Sequence, residues 1–336
     1  MKKIFLTAAA CIIASMFVSC NNKAETAAQE PEVELDSLSY VAGISVAKQI
    51  EMGIMPQFKA DHSVIVSTIE ETLNGKTSFK IGDVEITKEN MNELAMQYFN
   101  PELREKVIAA MNDSTGKTEV FDNPTEKRIA STLLGMDIAM STANVPFDIQ
   151  TESFIKALND VHSDAQIITD EKAEEIFNNY FNVVLPAEND KQSKEWLAEI
   201  EKEEGVMKTE SGLLYKIIDE GDKNVKAKAD TDVVEVLYTG KTREGKVFDS
   251  NRWADMPQER KNIIMAYQPE MARDNTIEFP LNGVIPGWTE GMKLVGKGGR
   301  IHLWIPSELA YGERGASQDI GPNDALFFDV ELIDVR

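Results

Sequence analysis

From Leu35 to about Phe181 apolar residues recur at three- and four-residue steps with few β-branched alternations, a pattern that predicts helices. Within that run the chain repeats itself. Residues 35–50 (LDSLSYVAGISVAKQI) match 125–141 (TEKRIASTLLGMDIAMS), each with a mid-helix glycine, Gly43 and Gly135. Residues 58–73 and 147–161 both open on phenylalanine, followed by a polar cap-like stretch and an apolar helix. Residues 87–99 and 169–181 both open on an N-cap threonine, Thr87 and Thr169, with an acidic first turn and an aromatic pair at the end. The pattern predicts two copies of three helices each, over 35–110 and 120–185. A three-helix unit this thin leaves an apolar face uncovered, so the copies are expected to pack on each other or on a second chain. A homodimer through the helical domains is the predicted assembly. Gly43 and Gly135 either admit a close helix approach or are simply tolerated.

Residues 187–204 (AENDKQSKEWLAEIEKEE) are strongly charged with sparse apolar positions at Trp196, Leu197 and Ile200. They predict a long exposed linker helix stopped by Gly205. Beyond it the period changes. Residues 213–219, 233–240, 276–281, 300–306 and 325–335 alternate or run apolar over strand lengths between glycine-rich turns, and 284–295 carries one short helix. The expected fold class is α+β: helical repeats, a linker helix, then over 205–336 an antiparallel sheet packed on a single helix.

The 336 residues carry 35 Lys+Arg against 57 Asp+Glu, a formal charge of −22 that repels polyanions, and there is no basic stripe. Nucleic acid is therefore excluded as a partner. Both cysteines, Cys11 and Cys20, fall in the first twenty residues, which rules out a disulfide-stapled fold and a cysteine nucleophile. The three histidines, His62, His162 and His302, stand at unrelated spacings and read as surface or structural imidazoles, not as a shared metal site. No cofactor or metal is expected.

Residues 1–19 combine two lysines, an apolar run too short to span a bilayer and a small residue before Cys20, which predicts an export signal. Val18-Ser19-Cys20 resembles a bacterial lipobox, with Phe17 where leucine is usual. That resemblance implies lipidation of Cys20, membrane attachment in the bacterial cell envelope facing the periplasm, and outer-membrane sorting. Residues 20–34 are polar and aperiodic and read as a flexible tether.

Six ordered segments over 205–336, GVMKTESGLLYKII, VLYTG, GKVFDSN, VIPGWTEGM, IPSELAYGERG and GPNDALFFDVEL, resemble the FKBP-type peptidyl-prolyl cis-trans isomerase domain. The helical repeats in front resemble, by pattern, the N-terminal dimerisation and chaperone domain of FkpA-like bacterial isomerases. The resemblance implies a five- or six-stranded half-barrel around one helix, and it assigns a pocket. Tyr238, Phe248, Asp249, Ile285, Tyr311 and Phe328 take the catalytic positions; Ile277, Phe279, Val284, Trp288 and Ile320 take the substrate-binding ones. In that assignment the backbone N–H of Ile285 holds the substrate carbonyl with help from the Tyr311 hydroxyl, and Asp249 holds pocket side chains by hydrogen bonds. Ile277 stands where many relatives carry an aromatic, and Gly321 where proline is usual.

On composition alone, aromatics on the strands of a small domain are core. The hydroxyls of Tyr238 and Tyr311 and the carboxylate of Asp249 point the other way, because a sealed core would have to satisfy each of them. The expected activity is acceleration of Xaa-Pro rotation in unfolded or partly folded exported proteins, with chaperone activity. The alternative is a non-catalytic chaperone gripping apolar segments in the same cleft. The stretch 252–275 exceeds the loop of most relatives. Its KNIIMAY segment predicts a short helix, with Ile263, Ile264 and Tyr267 as a lid or client-contact face or as surface decoration.

Overall fold

The computed structural model describes residues 35–317 and 319–336, without the side chain of Glu259. The export signal, the lipidation of Cys20 and the tether lie outside the described residues. Among the described residues no helix is long and apolar enough to cross a membrane. The chain divides into a unit that ends at Asn179 and a second unit, Tyr180–Arg336.

In the first unit α1 (Ser37–Gln49) runs through a π-helical turn, Ile50–Ile54, into α2 (Met55–Phe58), followed by α3 (His62–Leu73), β1 (Ser78–Ile81), β2 (Val84–Thr87), α4 (Met91–Tyr98), α5 (Pro101–Asn112), α6 (Pro124–Thr142), α7 (Thr151–His162) and α8 (Asp170–Asn179). Asp36, Asp61, Asn100 and Asn123 cap their helices by accepting from backbone N–H groups of the first turn.

The two copies interleave. In sequence Ser39 and Gly43 of α1 correspond to Ser131 and Gly135 of α6. Asp61, Ile65 and Thr68 at α3 correspond to Gln150, Phe154 and Ala157 at α7. The contacts repeat in the same correspondence. Ser39 Oγ accepts from the N–H of Gln150 at 2.8 Å, and Ser131 Oγ accepts from the N–H of Asp61 at 2.8 Å. A Cβ on Gly43 would lie 2.5 Å from the Phe154 carbonyl oxygen and 2.7 Å from Ala157 Cβ; one on Gly135 would lie 2.8 Å from the Ile65 oxygen and 2.7 Å from Thr68 Cβ. Each copy's first helix therefore packs a Ser-x-x-x-Gly face on the other copy's second helix. Of the two readings of these glycines, close approach is the observed one. The crossings seal Tyr40, Ile65, Ile69, Ile129, Phe154 and Leu158, all nearly or fully inaccessible to solvent.

Two parts of this unit depart from the all-helical expectation. Ser78–Thr87 forms a hairpin across the two-residue turn Gly82-Asp83, with Gly82 at φ 59°. It buries Phe79, Ile81 and Ile86 on Ile129, Leu133 and Met136. Thr87 thus ends a strand and caps nothing. Its N–H is bonded by the side chain of Asn90, at the N-cap of α4, whereas Thr169 does receive the Lys172 N–H at 3.3 Å. The first copy also continues into α5, which has no counterpart in the second.

The second unit opens on a π-helical turn, Tyr180–Val184, followed by α9 (Leu185–Ile200), β3 (Met207–Lys208), β4 (Leu214–Asp219), β5 (Val233–Thr242), β6 (Val247–Ser250), α10 (Gln258–Tyr267), β7 (Ile277–Pro280), α11 (Pro286–Gly291), β8 (Arg300–Ile305) and β9 (Leu326–Val335). The sheet has seven strands in the order β3-β4-β8-β9-β5-β6, with β7 also on β5, not the five or six implied by resemblance. The additional strands are short: β3 has two residues and β6 four. All pairings are antiparallel, and one sheet face packs on α11 through Val234, Val236, Trp288, Met292, Ile301, Leu303 and Val330.

The charged helix α9 is not a free spacer. Leu185, Asn189 and Ser193 fall on one face and are buried. Asn189 Nδ2 donates to the Pro322 carbonyl at 2.9 Å. Ser193 Oγ donates to the Asn323 carbonyl and accepts the Ala325 N–H, both at 2.9 Å. Ser193→Ala should cost about 1–3 kcal/mol, because the buried Ala325 N–H and the Asn323 carbonyl each lose a partner. A urea midpoint unchanged from wild type would show that the contact contributes nothing.

Candidate active site

Five elements bring the predicted side chains together. β5 alternates its residues across the sheet, which puts Val236 and Tyr238 on the face that packs on α11. β6 and β9 add Phe248 and Phe328, β7 adds Ile277 and Phe279, and α11 presents Trp288. Trp288 stands at the centre: its ring meets Tyr238, Phe328 and Phe279 edge-to-face at centroid distances of 5.1, 5.3 and 5.9 Å. Phe248 meets Phe328 at 5.5 Å and 85°. Gly240 carries no side chain because these two rings lie over its α carbon, within 2.6 and 2.8 Å of where a Cβ would be.

Burial is graded across the cluster. Trp288, Phe328, Ile320 and Tyr238 are buried; Phe248, Ile277, Phe279, Val284 and Ile285 are half-buried; Tyr311 is 40 % exposed. The cluster therefore has a dry floor and a margin that reaches solvent. Among the described residues the Ile285 N–H, at the N-cap of α11, pairs with no acceptor, while its carbonyl accepts from Trp288 and Thr289. Among the described residues Trp288 Nε1 is buried without a partner, so ring packing sets the indole's position.

Asp249 joins the rim to the floor. One carboxylate oxygen accepts the Tyr238 hydroxyl and the other accepts Arg260 Nη1 at 2.7 Å. Burial pushes the Tyr238 phenol well above its ordinary value, with the bond to Asp249 adding to the rise. Burial raises Tyr311 as well, with the Asp249 charge second. Both phenols stay protonated throughout the neutral range. Asn251 also holds β5: its side chain accepts the Tyr238 N–H at 2.7 Å and donates to the Val236 carbonyl at 2.9 Å, continuing the ladder where β6 has ended.

Sequence reasoning missed Arg260 and Asn251. Arg260 belongs to α10 within the long stretch 252–275, where the predicted helix is present. Ile263 and Tyr267 are exposed, as is Met265, whereas Ile264 is half-buried and does not join that face. Only the final asparagine of VFDSN hinted at Asn251. Arg260→Ala should leave the unfolding free energy within about 1 kcal/mol of wild type, since both partners of its ion pair are substantially exposed. It should still lower any turnover by about two- to fivefold, through the loss of the charge that fixes Asp249. Unchanged turnover would detach α10 from the site.

The segment around Ile320 is braced by α9. Arg243 bonds Asp324, Asn189 and Gln192, and the Gly321 N–H bonds Asp324 Oδ2 at 2.7 Å. A Cβ on Gly321 would lie 2.8 Å from Asn189 Nδ2.

The FKBP-type peptidyl-prolyl cis-trans isomerase family matches residues 224–333, and the domain amino terminal to FKBP-type peptidyl-prolyl isomerase matches 126–217. The chain belongs to the FKBP-type peptidyl-prolyl isomerase family. The "Probable FKBP-type peptidyl-prolyl cis-trans isomerase FkpA" of Neisseria meningitidis serogroup B is 34% identical over 220 residues, 61% of this chain and 73% of that protein. The "Outer membrane protein MIP" of Legionella longbeachae is 31% identical over 238 residues, 68% of this chain and 93% of that protein. The FKBP-type 22 kDa isomerase of Escherichia coli is 44% identical over 140 residues, 42% of this chain, and the chain spans 58% of its length. The first helical copy lies ahead of both matched regions.

Proposed function

We propose that the second unit accelerates cis–trans isomerisation of Xaa-Pro bonds in unfolded or partly folded exported proteins. The observation that carries this is a dry aromatic floor bordered by a backbone donor, Ile285 N–H, that no acceptor among the described residues uses. An Xaa-Pro amide resists rotation by ~18–20 kcal/mol because resonance gives its C–N bond double-bond character. Resonance separates charge, and water stabilises that separation. A prolyl ring set on Trp288 between Tyr238, Phe248 and Phe328 leaves water, so the planar amide loses more than the twisted one. The Ile285 N–H then holds the carbonyl with Tyr311 beside it, while Asp249 fixes the Tyr238 ring through its hydroxyl. No proton needs to move. Turnover is accordingly expected to be flat between about pH 6 and 8, because neither phenol titrates there.

A proline-limited refolding assay tests the reading: wild type should raise the slow-phase rate in proportion to its concentration. Absence of any rate gain, with suppression of aggregation retained, would leave the non-catalytic chaperone. The exposed Met96, Ile108 and Met111 on α4 and α5, and Ile263, Met265 and Tyr267 on α10, are the apolar surfaces proposed to hold clients. Envelope location, with lipid attachment at Cys20 to the outer membrane, is part of the proposal; it rests on the lipobox resemblance and on a relative named as an outer membrane protein.

Homodimerisation through the helical unit completes the reading. The Gly43 and Gly135 crossings are both made within one chain, so a dimer that keeps them uses other surfaces of the helical unit. Light scattering is expected to give twice the chain mass at micromolar concentration; a monomer there removes the dimer from the proposal.

A further inference from the structure

His62 and His162, one hundred residues apart in the chain, stand face to face, their rings 3.7 Å apart at the centroids and 12° from parallel. Among the described residues their shared partner is Glu51, on the π-helical turn after α1: its Oε1 lies 2.7 Å from His162 Nδ1 and 3.4 Å from His62 Nε2. The three ligand atoms lie within 4.8 Å of one another, and they come from the end of α1, the start of α3 and the end of α7. One carboxylate thus serves two imidazoles that are packed against each other.

The repeat supplies a control. By the correspondence that aligns Ser39 with Ser131 and Asp61 with Gln150, the positions equivalent to Glu51, His62 and His162 are Ala143, Thr151 and Leu73. The other corner of the same architecture is built without a ligating side chain, so packing of the helices does not require these three. We propose that Glu51, His62 and His162 form a divalent transition-metal site, with zinc the favoured ion.

The donor set supports that choice. Two imidazole nitrogens and one carboxylate oxygen suit zinc and its neighbours in the first transition row, and they suit calcium or magnesium poorly. Zinc bonds of about 2.0–2.2 Å set neighbouring tetrahedral ligand atoms roughly 3.3 Å apart, a spacing that the two Glu51 distances bracket. Rings 12° from parallel aim their in-plane lone pairs side by side, so each imidazole has to turn about its side-chain bonds for both to meet one ion at the tetrahedral angle, with water at the fourth position. His162 is exposed, which gives the ion an entry path. An ion there would tie the end of α1 and the start of α3 in the first copy to α7 in the second.

Titration calorimetry of the purified untagged protein with zinc chloride at pH 7.5 tests this, with cobalt(II) absorption as a second readout. One ion per chain is expected to bind in the micromolar range, more weakly as protons compete at pH 5.5. His162→Ala and Glu51→Gln should each weaken binding by about tenfold or more and remove the cobalt spectrum, while His302→Ala leaves both unchanged. Because His162 is exposed, its alanine variant is expected to fold, which circular dichroism checks. Equal zinc affinity in wild type and both ligand variants would assign the binding to adventitious surface groups and overturn the proposal. So would the absence of saturable binding by wild type.

Discussion

Gly43→Ala and Gly135→Ala should each lower the stability of the helical unit by roughly 2–3 kcal/mol, a large share of what holds a domain of this size together. The added methyl at either position would sit under 3.0 Å from a backbone oxygen and from a Cβ of the crossing helix. Neither atom is the far end of a flexible chain, so the helices have to separate by roughly 1 Å to restore van der Waals distance. Separation loosens Tyr40, Phe154 and Leu158 at one crossing and Ile65, Ile69 and Ile129 at the other, all fully or almost fully buried. It also stretches the serine bonds to Gln150 and Asp61 that accompany each crossing. Gly53→Ala is the matched control, because nothing lies within 4 Å of its would-be Cβ; its midpoint should hold or rise slightly. Thermal melts followed by far-ultraviolet circular dichroism decide the matter. Wild-type midpoints for both crossing variants would mean that the interleaved packing does not carry the unit.

Phe248→Ala should reduce proline-limited refolding catalysis by about 10- to 100-fold, equivalent to about 1.4–2.7 kcal/mol of barrier. Phe248 is half-buried and packs on Phe328 at the open side of the cluster, so its loss readmits water to the place proposed for the prolyl ring while the floor stays intact. Trp288→Ala would be a poorer test: the indole is 4 % exposed and touches three rings, and truncating it should cost about 3–5 kcal/mol of stability besides activity. Tyr238→Phe complements Phe248→Ala. It keeps the ring but frees the Asp249 oxygen that accepted the hydroxyl, leaving Arg260 as that carboxylate's partner. A smaller fall than for Phe248→Ala is expected. Wild-type rates in Phe248→Ala, measured on folded protein, would move the proposed site away from this cluster.

Much of the second unit was legible because strand alternation and glycine turns act locally. Leu214–Asp219, Val233–Thr242 and Leu326–Val335 lie where period two is strongest. The aromatic set could be named from ordered motifs before any contact was known. The hairpin at Ser78–Thr87 was equally readable, since SFKIGDVEIT alternates around Gly-Asp, but it was masked by helical periodicity on both sides. The docking of α9 was hidden for a different reason. Charge dominates its sequence, and the face that matters is carried by Leu185, Asn189 and Ser193, two of them small polar residues whose burial is worthwhile only because Pro322, Asn323 and Ala325 present bonding groups.

By itself the chain's sequence determined the two helical copies, the change to a sheet after Gly205, the family and the names of the ring-bearing residues, because period, caps and turn chemistry are short-range. Only the tertiary structure decided that the copies exchange partners across Gly43 and Gly135, that Arg260 reaches Asp249, and that Glu51, His62 and His162 share a corner. Those are contacts between residues distant in the chain, selected by which surfaces fit, and no local pattern encodes the fit.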